Sequence, residues 1–241
     1  SKTVKDALRK IAGIDFDVPV TVKSDFQFEY RNKLQIPVGV DRNGLSVIGF
    51  YAERTHRIVP MTACPIHPDW AEDIVSAFVS YLHRCGVSGY DEVRRTGVLR
   101  HIVVRETEGN FIITAVTATA SLPYEKELIA LLQKKFKSFS LWHNVNDGSG
   151  NGVFGPTFRL VFGPGKYYAH ECGVRFCVGP NTFLQVNRSV CRKLYERTAR
   201  FAADCGAGTV IDAYSGCGIL TAMLARQADL AVGIEAVEEA V

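Results

Sequence analysis

Residues 209–235, TVIDAYSGCGILTAMLARQADLAVGIE, decide how the rest of the chain is read. TVIDA is a short β-branched run that carries Asp212 near its end. Residues 214–218, YSGCG, form a tight turn with Gly216 and Gly218 two apart. Residues 219–226 have helical spacing, residues 230–234 form a second apolar run, and Glu235 closes it 17 residues after Gly218. This is a β-α-β unit of a parallel, doubly wound sheet. Such sheets bind ligands outside the carboxyl ends of their strands, where Asp212 and Glu235 fall. Gly216 and Gly218 let backbone approach a ligand with no Cβ in the way. The helix start behind them offers N–H groups and a positive dipole end to a carboxylate. An acid at the end of the second strand can accept both hydroxyls of a ribose. The plain alternative is a packing turn. A nicotinamide dinucleotide site is the sharper rival, but it wants G-x-G-x-x-G, and Thr221 stands where the third glycine would be.

Working towards the N-terminus, Asn187 reads as the cap of a long helix to about Ala203, with Val190, Leu194, Thr198 and Phe201 along one face. Two strands are expected near 166–170 and 174–178, and the texture changes near 178. Before that point the pattern is mixed. A helix spans 3–12, ended by Gly13. Hairpins pair 34–40 with 45–52 and 98–105 with 111–118. Helices cover Asp69–Tyr81 and 124–135, a strand 138–145, and a Gly- and Asn-rich stretch surrounds a strand at 158–162. The fold class is α/β: an α+β unit over 1–178, then the first part of a Rossmann-like unit over 179–241, with a further helix from Ala236. A doubly wound sheet needs about five to seven strands to bury both faces. Two are legible here, so the chain reads as a piece that stops inside its second domain.

Composition adds bounds. The chain has 241 residues, 47% hydrophobic and 22% charged, with a net charge of +3. That is ordinary globular usage, and the charge permits nucleic-acid binding without arguing for it. No apolar run is long enough for a membrane helix, and the start SKTVKDALRK is no secretory signal. Seven cysteines, odd in number and without a CxxC pair, fit a reduced cytoplasmic setting rather than a disulfide framework. His56, His67, His101 and His143 show no metal-ligand spacing and read as surface or hydrogen-bonded histidines, and Cys172 and Cys177 as flanking a turn. Basic and aromatic residues interleave in 27–33, QFEYRNK, and near 54–57, RTHR. This is either a solvated strand edge or an RNA-facing surface.

Residues 179–187, GPNTFLQVN, followed by a helix, by DAYSGCG (212–218) and by GIE (233–235), resemble the RNA uracil-5-methyltransferases, in particular the bacterial 23S rRNA group. The resemblance extends through 4–14, 30–38, 49–66 (ending Cys64-Pro65-Ile66), 98–106 and the run from His143 to Asn187, so it covers nearly the whole chain in order. It implies a class I methyltransferase domain over 179–241 and an RNA-facing domain over 1–178, with S-adenosylmethionine as cofactor and RNA, 23S rRNA first, as partner. Gln185, Tyr214, Gly216 and Glu235 take the cofactor-binding positions, Glu235 on the ribose, and Leu99-Arg100-His101 is a shared stretch near the cleft. Ser215 replaces the family's commoner cysteine, a small-for-small change. Cys64 matches the fourth ligand of a [4Fe–4S] cluster found in many relatives. The other three are absent, so a cluster is expected only in a longer parent. The family's nucleophilic cysteine and base glutamate follow motifs that do not occur in this sequence. No catalytic residue is therefore assigned, and the piece is expected to be inactive alone. The alternatives are a tRNA uracil-5-methyltransferase and, from another class, a non-catalytic RNA-binding module.

Overall fold

A computed structural model describes residues 1–150, 152–206 and 208–237. The N-terminal helix α1 (Lys2–Ala7) runs into a π-helical turn, Leu8–Ala12, which Gly13 ends, and neither buries a side chain. The centre is a seven-stranded sheet of order β3-β2-β1-β4-β5-β6-β7. Its strands are β1 (Lys33–Val40), β2 (Ser46–Tyr51), β3 (Ile58–Pro60), β4 (Leu99–Thr107), β5 (Asn110–Thr117), β6 (Phe139–Val145) and β7 (Thr157–Phe162). Pairing is antiparallel except between β5 and β6, which run parallel with α3 (Glu125–Gln133) between them in sequence. Both expected hairpins form, β1–β2 and β4–β5. Helix α2 (Trp70–Cys85) runs one turn beyond the expected end and stops at Gly86. Strand β3, which the sequence reading lacked, is a three-residue edge pairing only with β2. Its shortness and its Pro60 conceal it from any period-2 pattern.

The alternation of the strands sorts the two faces. Leu34, Ile36, Ile102, Val104, Ile113 and Leu141 join Ile74, Phe78, Leu128 and Leu132 of α2 and α3 in one core. The other face carries Ile112, which belongs to a second cluster with Phe176, Val178, Ala199, Ile219 and Met223. That cluster brings in the hairpin β8 (Tyr167–Glu171) and β9 (Val174–Val178), helix α4 (Arg188–Asp204), β10 (Thr209–Asp212), α5 (Ile219–Leu224) and β11 (Leu230–Gly233). β10 and β11 pair parallel, with Val210 opposite Ala231, as a β-α-β unit requires. The chain is thus a mixed α/β fold. The expected helix from Ala236 would run into 238–241, outside the described residues.

Three expectations need correction. On α4 the stripe Val190, Leu194, Thr198, Phe201 is not the buried one. Leu194 and Phe201 are more than half exposed, and Cys191 and Ala199 are buried instead. The hydrophobic pattern picked Leu194 and Phe201, while the face that meets the second cluster carries Cys191, Tyr195 and Ala199. Of the four histidines read as surface or hydrogen-bonded, three conform and His101 does not: His56 is exposed. His67 and His143 are buried and hydrogen-bonded, to Cys64 and the Lys33 carbonyl and to Thr117 respectively. His101 is buried with no partner for its Nδ1 among the described residues. Cys172 lies in the β8–β9 turn at φ 52° rather than beside it, and Cys177 is exposed on β9.

Candidate cofactor cavity

The turn 213–218 stands at the carboxyl end of β10 and is closed from inside. The Ser215 N–H donates to the Ile234 carbonyl (3.0 Å), and the Ile234 N–H to the Asp212 carbonyl (2.8 Å). Thr221, one turn into α5, donates its hydroxyl to Asp212 Oδ2 at 2.7 Å. Gly216 and Gly218 take φ of 54° and 75°, and an added Cβ at either would meet nothing within 4 Å. Their glycines are therefore demanded by the left-handed backbone, with open space beside them, rather than by crowding. Glu235 reaches back across the turn. Its Oε2 accepts from the Gly216 N–H and its Oε1 from the Val237 N–H, both at 2.8 Å. Those backbone donors, Val237 first and Gly216 second, hold its carboxyl below the usual 4.5.

A cavity of about 240 Å³ opens in front of this turn. Several parts of the chain contribute to its near wall. From the turn come Asp212, Tyr214 and Gly216, from the segment before α4 Phe183 and Gln185, from the end of β4 Thr107 and from just before β1 Asn32. Asn32 ties the start of β1 to the segment before α4. Its Nδ2 donates to the Gln185 carbonyl at 3.1 Å, and its own N–H donates to the Val186 carbonyl at 3.2 Å. Asn187 caps α4 as expected, its Oδ1 accepting from the Val190 N–H at 3.1 Å. Gln185, Tyr214 and Gly216 thus meet at one cavity. Glu235 does not line it and reaches it only through the Gly216 N–H.

The sequence reading missed the far wall. Arg188, Cys191 and Tyr195 share one face of α4 and line the cavity with Glu171 of β8. Glu171 is buried and accepts from Arg188 Nε at 2.8 Å and Arg192 Nε at 3.2 Å. Burial pushes the Cys191 thiol up to about 11 and raises Tyr195 and Cys217 as well, so no thiolate faces the cavity at neutral pH. The i, i+3, i+7 spacing of these α4 residues was the available signal. Apolar Phe176 and Ile219 complete a wall suited to a ligand with an apolar body and a few polar groups.

Cys64 lies elsewhere, partly buried against the main core, with His67 Nδ1 3.1 Å from its sulfur. Among the described residues no three His, Cys, Asp or Glu side chains come together to hold a metal, so the residues here do not by themselves fit an iron–sulfur cluster. No described helix is long and apolar enough to cross a membrane.

The fold and the glycine turn define a methyltransferase-like α/β architecture, and comparison with known proteins agrees. The structure of a Pyrococcus abyssi tRNA (uracil-54, C5)-methyltransferase in complex with S-adenosyl-L-homocysteine superposes on all of this chain and 57% of that one, with a TM-score of 0.76 at 22% identity. In sequence the chain is 34% identical to uncharacterized RNA methyltransferases of Halalkalibacterium halodurans and of Bacillus cereus, over all of this chain and 53% of each. A Clostridium tetani protein of the same description is 34% identical over 99% of this chain and 52% of its own length. No family model matches. The chain is therefore a homologue of bacterial RNA methyltransferases from end to end, as the resemblance read from its sequence implies, and it spans about half the length of the curated relatives it matches.

Proposed function

We propose that this chain is the cofactor-holding and RNA-facing part of an S-adenosylmethionine-dependent RNA uracil-5-methyltransferase, acting on 23S rRNA in the cytoplasm, with a tRNA as the alternative substrate. The observation that carries the reading is the joint cavity. One opening is bordered by the glycine turn, by Gln185 and by Asn32 and Thr107 at the end of the sheet. A methyl transfer needs this arrangement, because the donor and the accepting base must meet in one place.

The residues fit the cofactor in kind. S-adenosylmethionine supplies an electrophilic methyl group on a sulfonium. Asp212 is held by Thr221 and faces the cavity, where its charge suits the cationic end of the ligand. Tyr214 is 93% exposed at the mouth, a free ring for an adenine to stack on. Glu235 keeps a second lone pair on each oxygen for ribose hydroxyls while its present bonds hold the turn. At about 240 Å³ the cavity falls below the roughly 300 Å³ at which small-molecule pockets begin. It is read as part of a pocket whose remaining wall belongs to the unmatched half of the longer relatives. We place the boundary between the two units after residue 178, and the nucleophilic cysteine and the base glutamate in that other half. We keep Cys64 as a cluster ligand only in a longer parent.

Isothermal titration with S-adenosylhomocysteine tests this. Saturable binding with a Kd on the order of 10⁻⁴ M, weakened by Tyr214→Ala, is expected. No binding at millimolar ligand sinks the cofactor assignment. The chain mixed with rRNA and labelled S-adenosylmethionine is expected to transfer no methyl group, and turnover would overturn the placement of the catalytic residues.

A further inference from the structure

A second concavity, of about 720 Å³, includes Gln35, Pro37 and the start of β4. Its floor is made by a β-bulge. Leu99 pairs with Thr117 and His101 with Val116, which leaves Arg100 as an extra residue in β4. The bulge breaks the alternation of side chains. Leu99 points into the core, while Arg100 and His101, adjacent in sequence, both line the concavity. Thr107, at the cofactor cavity, is six residues further along β4, roughly 20 Å at about 3.3 Å per residue.

The floor is built, buried and incompletely satisfied. Arg100 is 3% exposed and His101 9%. Arg100 donates to the Asn146 and Gly148 carbonyls and to Glu92, with its guanidinium 4.5 Å above the Tyr90 ring. Yet Arg100 Nε and His101 Nδ1 are buried without a partner among the described residues. A buried polar atom without a partner is costly, and a bulge beside it is a feature of sites that re-aim side chains at a ligand. Burial and the adjacent Arg100 charge hold His101 down to about 4, so the imidazole is neutral and offers one donor and one acceptor.

The rim has a different character. Tyr51 and His56 meet edge to face at 6.0 Å, Arg95 is exposed beside them, and an exposed Arg57 lines the adjoining concavity. The concavity shares Tyr51, His56 and Tyr90 with a neighbouring one of about 860 Å³, and the two together carry five arginines against three carboxylates. Exposed rings interleaved with guanidinium groups, above a floor of the Arg100 guanidinium and the neutral His101 imidazole, match unpaired nucleic acid. Its bases stack, its phosphates seek cations, and its base edges seek hydrogen bonds.

We propose that this groove is a second RNA-binding site, remote from the cofactor cavity, in which an unpaired nucleotide sets its base against Tyr51 and His56, its edge on His101 and its phosphates on Arg57 and Arg95. The inference rests on the reading of RNA as the substrate. It adds that the RNA is gripped at a nucleotide other than the one that is methylated.

Fluorescence anisotropy with a labelled single-stranded RNA of about ten nucleotides tests it on this chain. The pair Arg57→Glu with Arg95→Glu is expected to weaken binding about tenfold or more and to flatten its salt dependence. The pair Lys134→Glu with Lys137→Glu, near the end of α3, is expected to stay within about twofold of the parent. With 2-aminopurine in the RNA, Tyr51→Ala is expected to abolish the stacking quench. Circular dichroism melts confirm that each variant folds. RNA binding that is equal in both charge-reversal pairs overturns the groove and leaves the RNA reading intact. Absence of RNA binding by the parent chain overturns both, and the cofactor titration then stands alone. Polyglutamate bound as tightly as RNA also overturns the groove, since an acidic protein surface would then be an equal ligand.

Discussion

Two of the three described sheets, the seven-stranded one and the β10–β11 pair, obey the same local rules and reach opposite ends. In the seven-stranded sheet Leu34, Ile36 and Ile102 are fully buried against α2 and α3. In the β10–β11 pair Ile211 is 64% and Leu230 53% exposed, although both strands are as apolar in sequence as β1 or β4. Pattern creates a strand, but burial needs a neighbour. Parallel strands are normally covered on both faces, and two strands alone are marginal. We read the exposed faces of β10 and β11 as surfaces that further strands and helices cover in proteins of the relatives' length. The glycine turn is well formed all the same, because its bonds are local: Glu235 to Gly216, Thr221 to Asp212 and Ser215 to Ile234.

The sharpest way to break this contrast is to delete side chains on each side of it. Phe78→Ala removes a fully buried ring of α2 and is expected to cost about 3–5 kcal/mol in urea unfolding. Ile211→Ala removes a mostly exposed side chain of β10 and is expected to cost less than about 1 kcal/mol. Equal costs would mean that β10 is packed in solution and that the contrast is false.

A second difference is chemical. The large sheet buries neutral histidines, while the small unit uses an ionised acid at its surface. For His101 the folded value, about 4, lies below the unfolded 6.5. The unfolded chain therefore binds the extra proton first. The stability due to this group is complete above pH 6.5 and drains away as pH falls from 6.5 towards 4. On the order of 2–3 kcal/mol should be lost over that window. His67 and His143, also held low by burial, add in the same direction. Denaturant unfolding at pH 7 and pH 4.5 should show the loss, and His101→Gln should reduce it. A variant that loses as much as the parent would remove His101 from this role.

These residues also show how far the sequence could be read. Strands and helices with a clear period appeared where expected, within a residue or two at most ends, because their apolar faces are set by position alone. Asn187 was legible as a cap because capping chemistry is local. Its truncation, Asn187→Ala, is expected to cost about 1 kcal/mol of α4 stability, checked by thermal melts. The cavity was half legible. Gln185, Tyr214 and Gly216 are carried by short motifs, but Glu171 and Arg188 come from a hairpin and a helix whose meeting is a long-range event. The bulge at Arg100 was hidden for a related reason. One unpaired residue in β4 is a property of its register against β5, and the single-strand pattern holds no record of it.

The smallest predicted effect concerns Glu235, which is half-buried against the turn. Its carboxyl is held below the usual 4.5 by the Val237 and Gly216 N–H groups, so the sign is opposite in cause to that of His101 but alike in direction. The folded state prefers the ionised form. The contribution is present above the unfolded value and is lost as pH falls below 4.5 through the lower folded value. Because the bonds are local to the turn, the expected outcome is local as well. Hydrogen exchange at the Gly216 amide, corrected for its intrinsic acid dependence, should speed up below pH 4.5 relative to amides of β5, and Glu235→Gln should show the faster exchange already at pH 7. If the Gly216 amide is as protected in Glu235→Gln as in the parent, the carboxylate does not hold the turn. The shape of the cofactor-facing loop would then rest on its two left-handed glycines and on the bond from Ser215 to Ile234.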